Sequence, residues 1–238
     1  MNITSSFVKA LIILFAAVNI ASAQEKVWLK LEKGEAVILD PMSAAWQPIT
    51  EKTEAVRRTF LLTKERSAVN IFHATEMYPV GEEWYLFIED IIPKTRSQVV
   101  AELTRIEAEQ LPNSEQRSDS LGSIPAGLTY GKMKEPASVS KVPFLKQRMN
   151  TVNGSTAAGR NDAAVLTMKR MMAKYPSLYF DRAMVDRLFG LYEALELDGF
   201  LFDESSRLMG MTANADFSRQ LSEWNTSAKN RLAQRRSK

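Results

Sequence analysis

Trp84-Tyr85-Leu86-Phe87-Ile88-Glu89-Asp90-Ile91-Ile92-Pro93 is the stretch at which the hydrophobic pattern of the chain changes. Its first five residues form a continuous β-prone run, the pattern of a strand covered on both faces. Beyond Pro93, Val99, Leu103, Ile106 and Leu111 follow a helical stripe, with Glu102, Arg105 and Glu109 off it. The residues before this point read as strands and those well after it read as helices, so the arrangement is α+β.

Upstream, Val27, Leu29 and Leu31 alternate with Lys26, Lys30 and Glu32, with Trp28 on the polar side. Ala36-Val37-Ile38-Leu39 is a short apolar run closed by Asp40-Pro41. Thr59–Thr63 and Ala68–Phe72 flank the charged turn Lys64-Glu65-Arg66-Ser67, which reads as a hairpin. Residues 24–111 are therefore expected to form a small antiparallel sheet of about five strands with one packed helix.

Downstream, residues 112–160 are basic and rich in Pro, Gly and Ser, with little periodicity. They read as a linker or extended arm, whose apolar points are Leu128-Thr129-Tyr130 and Val142-Pro143-Phe144-Leu145. Residues 161–238 read as a mainly helical C-terminal module. One stripe is Val165, Met168, Met172 and Tyr175, stopped by Pro176. Asp181 is placed to cap the next helix, whose stripe is Met184, Val185, Leu188, Tyr192 and Leu195, with Gly199 past its end. Phe217, Leu221, Trp224, Ala228 and Leu232 form one seam on the last helix.

The first 23 residues read as an export signal. Lys9 is followed by the apolar run Ala10–Val18, and Ala21-Ser22-Ala23 offers the small-x-small pattern of a cleavage site. The run is short for a membrane span, which needs about 20 residues; an uncleaved anchor is the alternative. No later stretch is apolar enough to span a bilayer. The expected location is periplasmic or secreted.

Composition narrows the chemistry. The 238 residues are 45% hydrophobic and carry a net charge of +3, which excludes a chain disordered throughout. Ten glycines exclude a collagen. The absence of cysteine excludes a disulfide scaffold and thiolate chemistry.

His73 is the one imidazole. As a general base it needs a partner, and Glu76, with Glu82 and Glu83 further on, are the nearby carboxylates. A histidine at a strand end explains it as simply. Met168 and Met172 share a helix face, and thioethers suit Cu(I), but core filling explains them too. Glu196, Asp198, Asp203 and Glu204 lack the end ligands of an EF-hand and read as a solvated acidic turn. No P-loop or Gly-x-Ser-x-Gly motif is present. The terminal basic residues lack the interleaved aromatics of single-strand nucleic-acid binders, and helix capping accounts for them.

The expectation is an exported, non-catalytic binding or assembly protein of the cell envelope. It would have no cofactor, no nucleic acid and no membrane span after signal cleavage. Phe217, Leu221 and Trp224 are the candidate seam for another envelope protein. The alternatives are a hydrolase built on His73 and nearby carboxylates, or a methionine-based copper carrier.

Overall fold

A computed structural model of the chain describes residues 26–39, 45–109 and 142–236. The expected export signal and the 112–141 part of the expected arm, with Leu128-Thr129-Tyr130, lie outside them.

The fold is α+β. Among the described residues, eight strands form two four-stranded antiparallel sheets. In chain order they are β1 (Lys26–Lys33), β2 (Ala36–Leu39), β3 (Trp46–Pro48), β4 (Thr53–Val56), β5 (Phe60–Thr63), β6 (Ala68–His73), β7 (Glu76–Val80) and β8 (Tyr85–Phe87). One sheet runs β4-β1-β6-β7 and the other β3-β2-β5-β8. Alternation sends Val27, Leu29, Val69, Ile71 and Val80 of the first sheet and Ala36, Ile38, Leu61 and Leu86 of the second into one buried cluster.

The chain passes from sheet to sheet at tight corners. Gly34 joins β1 to β2 at φ +76°, and a Cβ there would meet Ser67 Oγ at 2.5 Å. Glycine is required on both counts. The turn Lys64–Ser67 is not a hairpin: β5 pairs with β2 and β8, while β6 pairs with β1 and β7. Arg66 adopts φ 57°, and Ser67 Oγ donates to Glu35 O while accepting from Glu35 N. Those bonds pin the turn to the β1–β2 corner, so it carries the chain between sheets.

The helices are α1 (Ile88–Ile91), α2 (Arg96–Ala108), α3 (Leu145–Ala157), α4 (Asn161–Lys174), α5 (Arg182–Ala194), α6 (Asp198–Met211) and α7 (Ala215–Arg236), with a 3-10 turn at Pro176–Phe180. Thr95 and Gln98 form a capping box that starts α2. Its stripe of Val99, Leu103 and Ile106 packs in the helical core with α4, not on the sheets as expected. Asp181 caps α5, accepting from Met184 N at 3.2 Å. Gly199 lies inside α6; the left-handed residue after α5 is Glu196, at φ 56°.

Residues 145–157, read from sequence as part of an irregular connection, are helix α3. Its buried face, Arg148, Thr151, Val152 and Ser155, is mostly polar, so no apolar stripe marks the helix in the sequence. What holds it is specific contact. Thr151 Oγ1 accepts from Tyr85 N at 3.1 Å and lies 3.0 Å from Tyr85 O, which closes part of the exposed edge of β8. Gly154 lies beneath the Trp84 ring.

Buried charges tie the elements together. Lys169 on α4 reaches Glu204 on α6 and Glu107 on α2, and Tyr192 on α5 donates to Glu204 at 3.1 Å. Arg170 pairs with both oxygens of buried Asp90 at 2.9 and 3.1 Å and with Glu102 at 3.0 Å. Arg160 donates to Ile91 O at 2.7 Å, and Asp162 accepts from Lys94 N at 2.9 Å. Among the described residues no helix is long and apolar enough to cross a membrane.

Candidate functional site

The register of the β3-β2-β5-β8 sheet builds an unusual outer face. With Ala36 and Ile38 turned inward, Val37 and Leu39 point outward. Leu39 lies between Trp46 and Phe60, and Phe60 opposes Phe87. Val37 lies between Pro48 and Leu62, and Leu62 opposes Tyr85. The outside of an antiparallel sheet carries polar side chains when it meets water. Here two full cross-strand rows are apolar.

The helices cover one end of this face. The Arg148 guanidinium sits 4.0 Å from the Tyr85 ring centre, and that of Arg170 lies 4.5 Å from Phe87. Burial pushes the Tyr85 hydroxyl up and the Arg148 guanidinium down from their ordinary values. Phe144, just before α3, stacks on Tyr85 with ring centres 5.2 Å apart and planes 12° apart. It does so at φ 56°, a backbone region that bulky residues rarely adopt. Arg148 Nε donates to Pro143 O at 3.2 Å and holds the segment down.

The rest of the face is half-buried at Val37, Leu39, Phe60, Leu62 and Phe87, and two rings at the margin of the cover are exposed. Trp46 and Phe144, with ring centres 6.3 Å apart, are each 40% exposed. Phe60 continues the cluster at 5.5 Å from Tyr85 and 5.0 Å from Phe87. Beside Leu62 and Phe144 a groove of about 540 Å³ opens, lined also by Gly34, Glu35, Lys64, Glu65, Glu83 and Gln147. Lys64 pairs with Glu35, and Lys146 with Glu83 at 2.7 Å. The Lys64 ammonium holds the Glu35 carboxyl below the usual glutamate range, and Glu83 raises the Lys146 ammonium.

A smaller patch lies outside the other sheet. Trp28 opposes Phe72, which opposes Met77; Trp28 is 42% and Met77 53% exposed. Lys52 caps Trp28 at 4.4 Å from the ring centre. Ion pairs of Lys26 with Glu54 and Lys30 with Glu32 hem it in.

The residues expected from sequence lie elsewhere. His73 and Glu76 face each other at the β6–β7 hairpin, and Glu76 accepts from Tyr78 Oη. Glu82 and Glu83 follow the opposite end of β7, a strand that separates its ends by about 13 Å. They are engaged there: Glu82 accepts from Arg66 N at 2.7 Å, and Glu83 pairs with Lys146. Glu82 and Glu83 are thus not brought to His73, whereas Glu76 is its cross-strand neighbour. Met168 and Met172 are buried in the helical core, on the stripe with Val165. Among the described residues no group of three or more His, Asp or Glu is placed to hold a metal ion.

The expected partner seam also packs within the chain. Phe217 and Leu221 are buried, and Trp224 meets Phe189 edge-on at 5.8 Å and donates to Asp186 at 3.2 Å. The acidic turn is not simply solvated. Arg231 pairs with Asp198 at 2.6 Å and with Glu193 at 2.7 Å, and Arg235 reaches Glu196 and Asp198, each at 3.1 Å.

Beyond Trp84–Ile88, a run expected to be covered on both sides, none of this outer face is singled out from sequence. Its signal is in the sequence: β2, β5 and β8 carry apolar residues at both phases of the alternation. That pattern demands a cover on each side, and among the described residues the cover of the outer side is partial. Comparison with known protein families, curated proteins and solved structures finds no match to this chain.

Proposed function

We propose that this chain is an exported, non-catalytic binding or assembly protein of the cell envelope that engages its partner through the outer face of the β3-β2-β5-β8 sheet. The observation that carries this reading is the pair of apolar cross-strand rows ending in the half-open rings of Trp46 and Phe144. A contiguous apolar surface rimmed by charge is the usual mark of a partner site, and aromatic anchors supply most of the energy at such sites. Export rests on the pattern of residues 1–23.

The test is site-specific photo-cross-linking in the exporting cell, with the reactive group placed at position 46 and, as a control, at exposed position 219. A single adduct of fixed mass from position 46, absent from position 219 and lost with Phe144→Gly, supports the reading. Uncross-linked monomer at both positions overturns it. N-terminal sequencing of the mature protein tests export: a start at Gln24 is expected.

A further inference from the structure

We infer that the ligand of this face is an extended, lysine-bearing peptide segment, with an apolar side chain set against Leu62 and Phe144 and its ammonium held by the carboxylates of the adjoining groove; the inference rests on the docking face proposed above. The groove and the aromatic rows are continuous. Leu62 and Phe144 line the groove, Leu62 opposes Tyr85 across the strand pair, and Phe144 stacks on Tyr85. A bound chain crossing this junction meets an apolar floor on one side and a charged wall on the other.

The wall has a definite sign. Glu35, Glu65 and Glu83 line it, against Lys64 and the neighbouring Lys146. Each lysine already pairs with one glutamate. Glu65 has no ion pair of its own among the described residues, and Lys146, whose charge it senses, is held by Glu83. Just beyond the rim, Glu82 and Arg66 add one charge of each sign. Among the described residues three carboxylates of this wall thus share two ammonium groups, and a third cation completes the set. A carboxylate has about four lone-pair sites, so Glu35 and Glu83 also have acceptor capacity to spare. An acidic segment would face the same wall with like charge, which selects against it. The groove volume, about 540 Å³, fits a few side chains and not a folded domain.

The experiment uses the purified protein and two fluorescein-labelled eight-residue peptides. One alternates Leu or Phe with Lys; the other has Glu in place of every Lys. Fluorescence anisotropy is expected to show the lysine peptide binding about tenfold tighter or more, with affinity falling as salt is raised. Glu65→Lys, at an exposed turn, is expected to remove most of that preference without unfolding the protein, as circular dichroism would show. Equal binding of both peptides, or a preference unchanged by Glu65→Lys, overturns the inference. Failure of the docking face is distinct: it is read from a cross-linked adduct that survives Phe144→Gly. An adduct lost with Phe144→Gly while the two peptides bind alike leaves the face standing and removes the cationic ligand.

Discussion

Trp84 lies so close over Gly154 that a methyl group on the glycine would meet Trp84 Cζ2 at 2.1 Å. That separation is far inside van der Waals contact, and the obstacle is a ring whose Nε1 and Cε2 also lie within 3.0 Å of a Cβ built on Gly81. The ring is gripped between two glycines, one after β7 and one in α3, and so joins the sheets to the helices.

The sign of Gly154→Ala follows. In an ordinary helix interior this change stabilises by about 0.5–1 kcal/mol. Here it must displace the indole or tilt α3, an overpacking that costs about 1–3 kcal/mol. Urea unfolding followed by circular dichroism is expected to show a lower midpoint for Gly154→Ala. An unchanged or raised midpoint would show that Trp84 moves freely. Gly190→Ala is the control, since nothing lies within 4 Å of its position.

The Lys169–Glu204 pair is expected to dominate the acid limb of stability. Burial pushes the Glu204 carboxyl up, but Lys169 and Arg207 outweigh it and hold the group below the ordinary value of 4.5. A carboxyl depressed in the fold contributes stability that is present above its unfolded pKa and lost as pH falls through its folded pKa. Stability is therefore expected to hold from neutrality to about pH 5 and to fall below that. Glu204→Gln leaves Lys169 with Glu107 alone and is expected to cost about 3 kcal/mol at pH 7. It should also flatten the decline between pH 5 and 3. An acid limb of unchanged slope in Glu204→Gln would assign that dependence to other carboxylates.

The sequence showed most elements and little of how they meet. Stripes such as Val165, Met168 and Met172 were legible because one buried helix face imposes a 3.6-residue period. Helix α3 was not, because Thr151 and Gly154 stabilise it by contacts with residues 66 and 70 positions away, which no local pattern encodes. The Lys64–Ser67 turn resembles a hairpin locally, and only the long-range bonds of Ser67 to Glu35 reveal a corner. The site suffered most. An apolar residue at β2 or β5 has the same sequence signature whether a helix covers it or a partner does.

The terminal arginines are expected to differ in weight. Arg231 Nε lies 2.6 Å from buried Asp198, and Arg231 is only 26% exposed at its side chain. Arg231→Ala removes the closest cation of a buried carboxylate and is expected to cost about 2 kcal/mol. Arg235 makes longer and more exposed pairs, so Arg235→Ala is expected to cost under about 1 kcal/mol. Thermal melts of the two variants in parallel check the order. Equal losses would mean that Asp198 draws its compensation evenly from both.

Phe144→Gly separates docking from folding. The backbone at Phe144 is left-handed, a conformation that glycine adopts freely, so the substitution relieves strain as it deletes the ring. The lost stack on Tyr85 costs about 0.5–1.5 kcal/mol, and the relieved backbone offsets part of it. Stability is expected to change by less than about 1 kcal/mol. Partner binding needs the ring itself, since Phe144 and Trp46 are the two open aromatic groups at the end of the rows. The cross-link from position 46 is therefore expected to vanish in a protein that melts within a few degrees of the parent. Phe144→Trp, which keeps an aromatic group at the cost of the same backbone strain, is expected to retain it. A cross-link that survives Phe144→Gly, or a Phe144→Gly variant that no longer folds, would show that Phe144 serves the core and not a partner.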